Sequence, residues 1–323
     1  MTTRRFSLGS LLAFFVIGAG PCRAETTAPP SAEAAQEGMV WRVSGGKVPF
    51  FLAGSFHALR PSDYPLPAPY EMAWKEAQHI VMEIPAGDAT KPGNQALTMK
   101  LAFLKDGKLH DVVSPELWAK VTAWCSKSGY PKTAVDMMKP WMASICIVMS
   151  VFEKVGVKGD LGLERHFSER LTKSDKTSEG LETFAQQLEF FDRIPVPMQE
   201  VMLKLTLEQL PTVEQDLPKL LAAWRTADTA KVDQMMSRSF EGFPEIKKQL
   251  LEDRNAAWIP RLEALLQGGR ATMVLVGAAH LCGPGSVVEL LQKKGYLCVP
   301  LKAAPSAPAT APDAAPAPVK KAA

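Results

Sequence analysis

Several short motifs that identify common enzyme classes are missing from this sequence. It contains neither His-Glu-x-x-His nor Gly-x-Ser-x-Gly, the signatures of many zinc proteases and of the α/β-hydrolase nucleophile. It also lacks Cys-x-x-Cys and the glycine-rich fingerprints of phosphate and dinucleotide sites. These absences argue against thioredoxin-type, zinc-ribbon and nucleotide-binding proteins. A functional site must therefore be sought in a less common arrangement of residues.

No segment is apolar over enough residues to predict a stable membrane span, which takes about 20 residues. The run from Leu8 to Ala19 follows Arg4 and Arg5 and precedes the small residues Cys22 and Ala24. This order is typical of a cleaved secretory signal. We therefore predict that residues 1–24 are a signal peptide and that the protein is exported, to the periplasm or out of the cell.

Excess charge is also absent once the predicted signal is set aside. The whole chain has a formal charge of +3, and residues 1–24 hold three arginines and no acidic residue. The remaining chain is therefore neutral, which gives no reason to expect a nucleic acid or an anionic surface as a partner.

Cysteine is scarce, with five in the chain. Cys22 falls in the predicted signal, which leaves Cys125, Cys146, Cys282 and Cys298. In an oxidising compartment these four can form two bridges, and pairing between sequence neighbours, Cys125 with Cys146 and Cys282 with Cys298, is the preferred prediction. Four buried free thiols are the alternative.

The remaining pattern predicts an α/β fold, with an α+β arrangement as the alternative. Residues 25–37 are expected to be a linker, residues 38–302 the folded domain, and the Ala/Pro-rich residues 303–323 a disordered tail. Strand patterns lie near residues 39–53, 79–84, 271–276 and 297–300, and helical spacing dominates between them. We therefore predict a central mixed sheet built from N- and C-terminal strands, with a large helical insertion over about residues 95–265.

The same short motif, Gly-x-x-His, follows two of these strands. Gly54 and Gly277 each end an apolar strand, and His57 and His280 lie three residues further on. Ligands of open α/β sheets bind beyond the carboxyl ends of the strands. Glu83 ends a third apolar strand, where an unpaired acid would be costly to bury. His57, Glu83 and His280 therefore predict a two-histidine, one-carboxylate site for a divalent metal and water.

Structural roles are the alternatives for these three residues. Both histidines can simply form hydrogen bonds at strand ends, and Glu83 can form a salt bridge at the rim of the sheet. Of the other histidines, His79 is expected to be structural at a strand start. His110 is placed in a polar loop and His166 on a partly exposed helix face.

Taken together, the motifs resemble the TraB/PrgY/GumN family over about residues 39–301. The resemblance rests on segments spread along the chain, which are 51–57, 63–67, 81–83, 180–183, 254–258 and 276–281. The family's usual turn is Gly-Thr-x-His, and Ser55 replaces the threonine here. Its relatives include the TIKI metal-dependent proteases and, distantly, erythromycin esterases and ChaN-like proteins.

The resemblance implies a hydrolytic site at His57, Glu83 and His280, with Glu182, Arg254 and Asn255 nearby. Arg254 would orient a carboxylate or stabilise negative charge, and the alternative is a surface arginine paired with a neighbouring acid on its helix. Relatives commonly carry Gly-x-Asp where this chain has Gly162-Leu163-Glu164. Because glutamate is longer than aspartate, Glu164 is left out of the predicted site.

The function predicted first is an exported metal-dependent hydrolase that acts on a peptide or another small amide or ester substrate. Manganese or cobalt is the favoured metal, with zinc as an alternative. A non-catalytic binding protein for a peptide or a polysaccharide-related ligand, using the same crevice, is the second hypothesis. A scaffold in which both histidines only cap strand ends is the third. The substrate and the oligomeric state are left open.

Overall fold

The computed structural model describes residues 37–303. The predicted signal peptide, linker and tail lie outside the described residues, except for residues 37 and 303 at their inner ends. Within the described part, strands lie at both ends of the chain with helices between them, as the sequence pattern predicts, apart from two differences described below.

Among residues 37–303, six strands form one sheet. They are β1 (Val40–Ser44), β2 (Phe50–Ser55), β3 (His79–Met82), β4 (Thr177–Gly180), β5 (Thr272–Gly277) and β6 (Leu297–Pro300). The helices before β4 are α1 (Ala68–Glu76), α2 (Pro92–Ala102), α3 (Leu109–Val112), α4 (Pro115–Ser128), α5 (Lys132–Val135), α6 (Pro140–Lys154) and α7 (Leu163–Leu171). Those after β4 are α8 (Phe184–Asp192), α9 (Val196–Arg225), α10 (Thr229–Ser239), α11 (Pro244–Lys247), α12 (Asp253–Leu266) and α13 (Val287–Lys293).

The strand order is β4-β3-β5-β2-β1-β6, and the sheet is mixed. Strands β4, β3, β5 and β2 are mutually parallel, whereas β1 runs antiparallel to both of its neighbours. Strand β5 belongs to the C-terminal part of the chain, yet it lies between β2 and β3, which belong to the N-terminal part. The predicted α/β fold, with a sheet built from both ends of the chain, is confirmed.

The helical insertion needs one correction, because it also contains a strand. Strand β4 lies within residues 95–265 and pairs with β3, from Thr177 opposite His79 to Gly180 opposite Met82. Its side chains are exposed or half-buried, so it carries no apolar run that would mark a strand. The pairing with β3, rather than local propensity, makes this segment a strand.

A second difference concerns α9, where the sequence predicts two helices near 196–209 and 213–225. The structure has one helix of 30 residues, with Pro211 and Pro218 inside it. Both prolines are exposed, while the buried stripe continues through Val213 and Leu217. Packing of this stripe keeps the helix continuous where the prolines alone would end it.

The predicted disulfides are wrong, and the free-thiol alternative is confirmed. None of the four cysteines within residues 37–303 is bridged. Cys298 Sγ points at the Val288 carbonyl, 3.9 Å away, and Cys146 Sγ lies 4.0 Å from Met142 Sδ. The thiols therefore contact residues of their own surroundings instead of each other.

Candidate functional site

The parallel strands bring the predicted residues to one edge of the sheet. Ser55, the last residue of β2, pairs with Gly277, the last residue of β5. Met82, at the end of β3, lies opposite Leu275 on one side and Gly180 on the other. His57, Glu83, Glu182 and His280 come directly after these strand ends. They therefore share the carboxyl edge, where open α/β sheets bind their ligands.

Gly54 allows the turns after β2 and β5 to approach each other. A Cβ atom at this position would lie 3.2 Å from the Ala278 Cα and 3.2 Å from the Met39 Cβ. Its carbonyl accepts hydrogen bonds from the Tyr70 hydroxyl at 2.5 Å and from the Trp224 indole at 2.8 Å. Glycine is needed here for close packing, since its φ is not positive.

Glu83 is the buried anion of the site. Its Oε1 accepts the Gly277 backbone N–H at 2.7 Å. Its Oε2 accepts Arg254 Nη2 at 2.6 Å and Gln187 Nε2 at 2.9 Å. Burial alone would raise the pKa of Glu83, but the Arg254 guanidinium, with the nearby histidines and the Gly277 N–H, lowers it to about 2. Glu83 is therefore ionised throughout the physiological range.

Arg254 links Glu83 to the second predicted acid, Glu182. Its Nε and Nη2 donate to the two Glu182 oxygens, both at 2.9 Å. Its Nη1 donates to the Leu250 carbonyl and to His280 Nε2, both at 3.1 Å. Only 4% of the Arg254 side chain is exposed. The alternative of a surface arginine paired along its own helix is therefore wrong, and the role of orienting carboxylates fits the contacts.

A wide helical turn places Arg254 at this point. Residues Lys248–Glu252 form one π-helical turn between α11 and α12. Such turns are rare and are frequently found at functional sites. Directly after it, Arg254 and Asn255 are both buried and both reach the carboxyl edge of the sheet.

His280 is a fully buried, neutral histidine. Its Nε2 accepts from Arg254, so the proton lies on Nδ1, which donates to Asn255 Oδ1 at 2.6 Å. Asn255 Nδ2 in turn donates to the Gly285 carbonyl at 2.9 Å. Burial is the largest influence and, with the Arg254 charge, lowers the pKa of His280 to about 3 against the opposing Glu83 carboxylate. The Trp258 indole also donates to Glu182 Oε1 at 2.9 Å. We call Glu83, Glu182, Gln187, Arg254, Asn255, Trp258 and His280 the buried network.

His57 lies outside this network and pairs with Glu164. His57 Nδ1 is 2.9 Å from Glu164 Oε2, and the side chains are 14% and 26% exposed. The other carboxylate oxygen, Oε1, accepts the Ser55 hydroxyl. Burial lowers the pKa of His57, but Glu164 outweighs it, so the pKa lies above the ordinary value. We call His57 and Glu164 the dyad.

Gly162 allows helix α7 to carry Glu164 into the site. A Cβ at Gly162 would lie 2.1 Å from the His57 carbonyl oxygen, closer than any real contact. The next residue, Leu163, donates its N–H to the Phe56 carbonyl at 3.0 Å. The first turn of α7 therefore packs against the end of β2, and Glu164 lies in that turn.

The dyad and the buried network are electrostatic neighbours. The Glu83 charge raises the pKa of His57 and the Arg254 charge lowers it, although Glu164 has the larger effect. The predicted residues thus converge on one edge, but the two histidines differ. His280 is fully enclosed with Arg254, whereas the His57 side chain is 14% exposed although its Nε2 atom is buried.

This arrangement does not fit the predicted set of metal ligands. Both Glu83 oxygens already accept strong donors, and His280 Nε2 accepts a guanidinium N–H. The positive charge that a metal would supply to Glu83 comes from Arg254. Within residues 37–303, no three His, Cys, Asp or Glu side chains are arranged to hold a metal ion. The manganese, cobalt or zinc site stays a prediction.

The remaining histidines have the roles expected from the sequence, with one small difference. His79 is buried at the start of β3 and contacts the Thr177 hydroxyl at 2.7 Å. His166 is half-buried on α7. His110 lies in the short helix α3 rather than in a loop, where it pairs with Asp136 at 2.8 Å.

Sequence comparison identifies the family to which these motifs belong. The profile of the TraB/PrgY/gumN family matches residues 39–300, which is most of the chain. The chain belongs to the TraB/PrgY/gumN family. The search of curated proteins and the search of solved structures each gave no significant match. Among the described residues of this TraB/PrgY/gumN protein, no helix is long and apolar enough to cross a membrane.

Sequence reasoning missed two residues that contact the predicted site. Glu164 was left out of the predicted site because of its length, but in the structure its side chain contacts both His57 and Ser55. The sequence feature that could have indicated Glu164 is the Gly162-Leu163-Glu164 segment, in which a glycine precedes an acidic residue at the start of a helix. Gln187 follows the 180–183 segment, and nothing in its spacing indicates its contact with Glu83.

Proposed function

We propose that this protein is an exported hydrolase of amide or ester bonds in which His57 is the general base. The contact between His57 and Glu164 at a partly exposed position carries the proposal. It lies at the carboxyl edge of a parallel sheet and next to a buried charged network, as an active centre in this class of fold does. Export rests on the sequence of residues 1–24 alone.

The dyad gives His57 a defined protonation pattern. The Glu164 carboxylate, 2.9 Å from Nδ1, favours the neutral imidazole with its proton on Nδ1, which leaves Nε2 as the nitrogen that takes up a proton. His57 Nε2 is buried in the structure, so the proposed reaction requires a movement that admits water and substrate to it. Nε2 then takes a proton from the water as the water oxygen attacks the carbonyl carbon of the substrate. The imidazolium then returns the proton to the leaving amine or alcohol as the bond to the carbonyl carbon breaks.

The buried network supports this step without touching the substrate. Glu83 fixes the end of β5 through the Gly277 N–H, and Arg254 connects β3, the 181–183 loop and α12 through Glu83 and Glu182. His280 and Asn255 extend the connection to the Gly285 carbonyl. We therefore propose that Glu83, Glu182, Arg254, Asn255 and His280 position the catalytic edge.

The first experiment screens the purified full-length chain against peptide and ester libraries. Parallel arms contain a chelator or added manganese, cobalt or zinc, so that metal dependence is measured separately from hydrolysis. We expect His57→Ala and Glu164→Gln each to lower kcat by roughly 100-fold or more, in line with loss of general base catalysis.

The chain offers a matched control for this pair. His110 and Asp136 form a second histidine–carboxylate contact, at 2.8 Å, away from the sheet edge. His110→Ala and Asp136→Asn should leave kcat within about two-fold of the parent, because no reacting group depends on them. Full activity in His57→Ala would refute the proposal.

A non-catalytic binding protein is the second candidate, favoured by the burial of His280, Glu83 and Arg254 at 0%, 5% and 4% exposure. A rigid, enclosed network can shape a binding surface without reacting. Calorimetric binding of a peptide that the protein leaves intact over a long incubation would support it.

A further inference from the structure

Ser55 holds the Glu164 side chain from the strand side. Its hydroxyl donates to Glu164 Oε1, while His57 Nδ1 lies against Oε2. Ser55 is only 3% exposed and is the last residue of β2, so its position is fixed by the sheet. Each carboxylate oxygen therefore has a close polar neighbour, and the donor to Oε1 is rigid.

We propose that Ser55 is a positioning residue that fixes Glu164 and, through it, the tautomer and orientation of the His57 imidazole. The inference rests on the proposed function for its catalytic consequence, but its structural part is independent of any substrate. The physical basis is the conformational freedom of Glu164. Its side chain has three rotatable bonds and is 26% exposed. Without a rigid donor, the carboxylate can turn to solvent.

The backbone around Glu164 is held by other contacts, which isolates the role of Ser55. The Tyr64 hydroxyl donates to the Leu161 carbonyl at 2.8 Å, just before α7. Leu163 N–H donates to the Phe56 carbonyl at 3.0 Å. Neither bond involves the Ser55 side chain, so we expect loss of the Ser55 hydroxyl to act on the Glu164 side chain and to leave α7 in place.

The conservative replacement at this position meets no side chain from its register partner. The register partner of Ser55 on β5 is Gly277, which has no side chain. Ser55→Thr keeps the hydroxyl and adds a methyl group next to a residue without a Cβ. Ser55→Ala removes the hydroxyl and leaves the strand unchanged. The two variants therefore separate the hydrogen bond from the volume of the side chain.

The experiment measures the His57 tautomer and kcat in the full chain. Imidazole ¹⁵N shifts, recorded at a pH where the ring is neutral, report which nitrogen carries the proton. We expect the Nδ1–H form in the parent and in Ser55→Thr, and a mixture of both tautomers in Ser55→Ala. With a substrate in hand, Ser55→Ala should lower kcat by roughly 10- to 100-fold with little change in KM, as for a lost hydrogen bond to a charged group.

Two controls test whether this is more than the loss of a buried hydroxyl. Ser144 is also buried and donates to the Pro140 carbonyl at 2.9 Å within α6, so Ser144→Ala should change neither the tautomer nor kcat. In a Glu164→Gln background, Ser55→Ala should have little further effect, because the two residues act in series.

Three results would overturn the proposal. They are the parent tautomer in Ser55→Ala, failure of Ser55→Thr to retain it, and an equal additional loss from Ser55→Ala in the Glu164→Gln background. If the parent hydrolyses nothing, the proposed function fails, while the tautomer measurement still decides the role of Ser55.

Discussion

At the residue scale, two buried carboxylates share a single guanidinium. Glu83 and Glu182 are both ion-paired with Arg254, and all three side chains are at most 8% exposed. One negative charge is thus left over, and neutral N–H donors from Gly277, Gln187 and Trp258 point at the carboxylates. Such a cluster is stable only while each member keeps its partners.

Removing the cation should therefore be costly. Arg254→Met leaves two buried carboxylates without their counter-charge, and we expect a loss of about 3–5 kcal/mol in the free energy of unfolding. Urea denaturation at neutral pH measures it. Arg261→Met on the same helix is the control, because Arg261 is 53% exposed in its pair with Glu179, and it should cost less than about 1 kcal/mol. Equal losses would show that the network contributes no special stability.

At the element scale, the contact between His57 and Glu164 at the carboxyl edge depends on how closely helix α7 approaches strand β2. The approach is set at Gly162, whose missing side chain gives the His57 carbonyl its space. Helix α7 has only nine residues, so its place depends on tertiary contacts more than on helix propensity. Glu164 reaches His57 only while this contact is intact.

A methyl group at Gly162 should push α7 away from β2. We expect Gly162→Ala to lower the free energy of unfolding by about 1–3 kcal/mol, as overpacking does, and to abolish the His57–Glu164 contact. Gly93 in α2 has open space around its Cβ position, so Gly93→Ala should be neutral or stabilising by up to about 1 kcal/mol. Thermal unfolding and a crystal structure of the Gly162 variant would check this, and an unshifted α7 would contradict it.

At the scale of the whole molecule, three buried groups make stability depend on pH. His280 has a folded pKa of about 3, below its ordinary 6.5, and Glu83 about 2, below its ordinary 4.5. In both cases the unfolded chain takes up the proton first as the pH falls. The pKa of His57 is shifted the other way, above 6.5, so its contribution is complete below pH 6.5 and is lost as the pH rises through the folded value.

The free energy of unfolding should therefore be greatest near neutral pH. On the acid side it should fall from about pH 6.5 toward 3, as His280 and then Glu83 are protonated in the unfolded state. His280→Gln, which keeps one donor and one acceptor, should flatten the part between pH 6.5 and 4.5. Urea titrations across this range measure the slope, and an unchanged slope in the variant would rule out His280 as its source.

The sequence determined most of the elements and the shared edge. Apolar runs defined β2, β3 and β5 because strands covered on both faces need continuous hydrophobic residues. A polar residue directly after such a strand must lie at its carboxyl end, so His57 and Glu83 could be assigned to one edge from local pattern alone. The family motifs added Glu182, Arg254 and Asn255, which the structure also brings there.

The partners of these residues were decided only by the tertiary structure. Helices α7 and α12 belong to the insertion, and their approach to the sheet depends on packing between segments about a hundred residues apart or more. For this reason Glu164 was left out of the predicted site, β4 carried no apolar run and the contact between Arg254 and Glu83 could not be predicted. The local sequence pattern determines at which strand end a side chain lies. Long-range packing determines which charged residue contacts it.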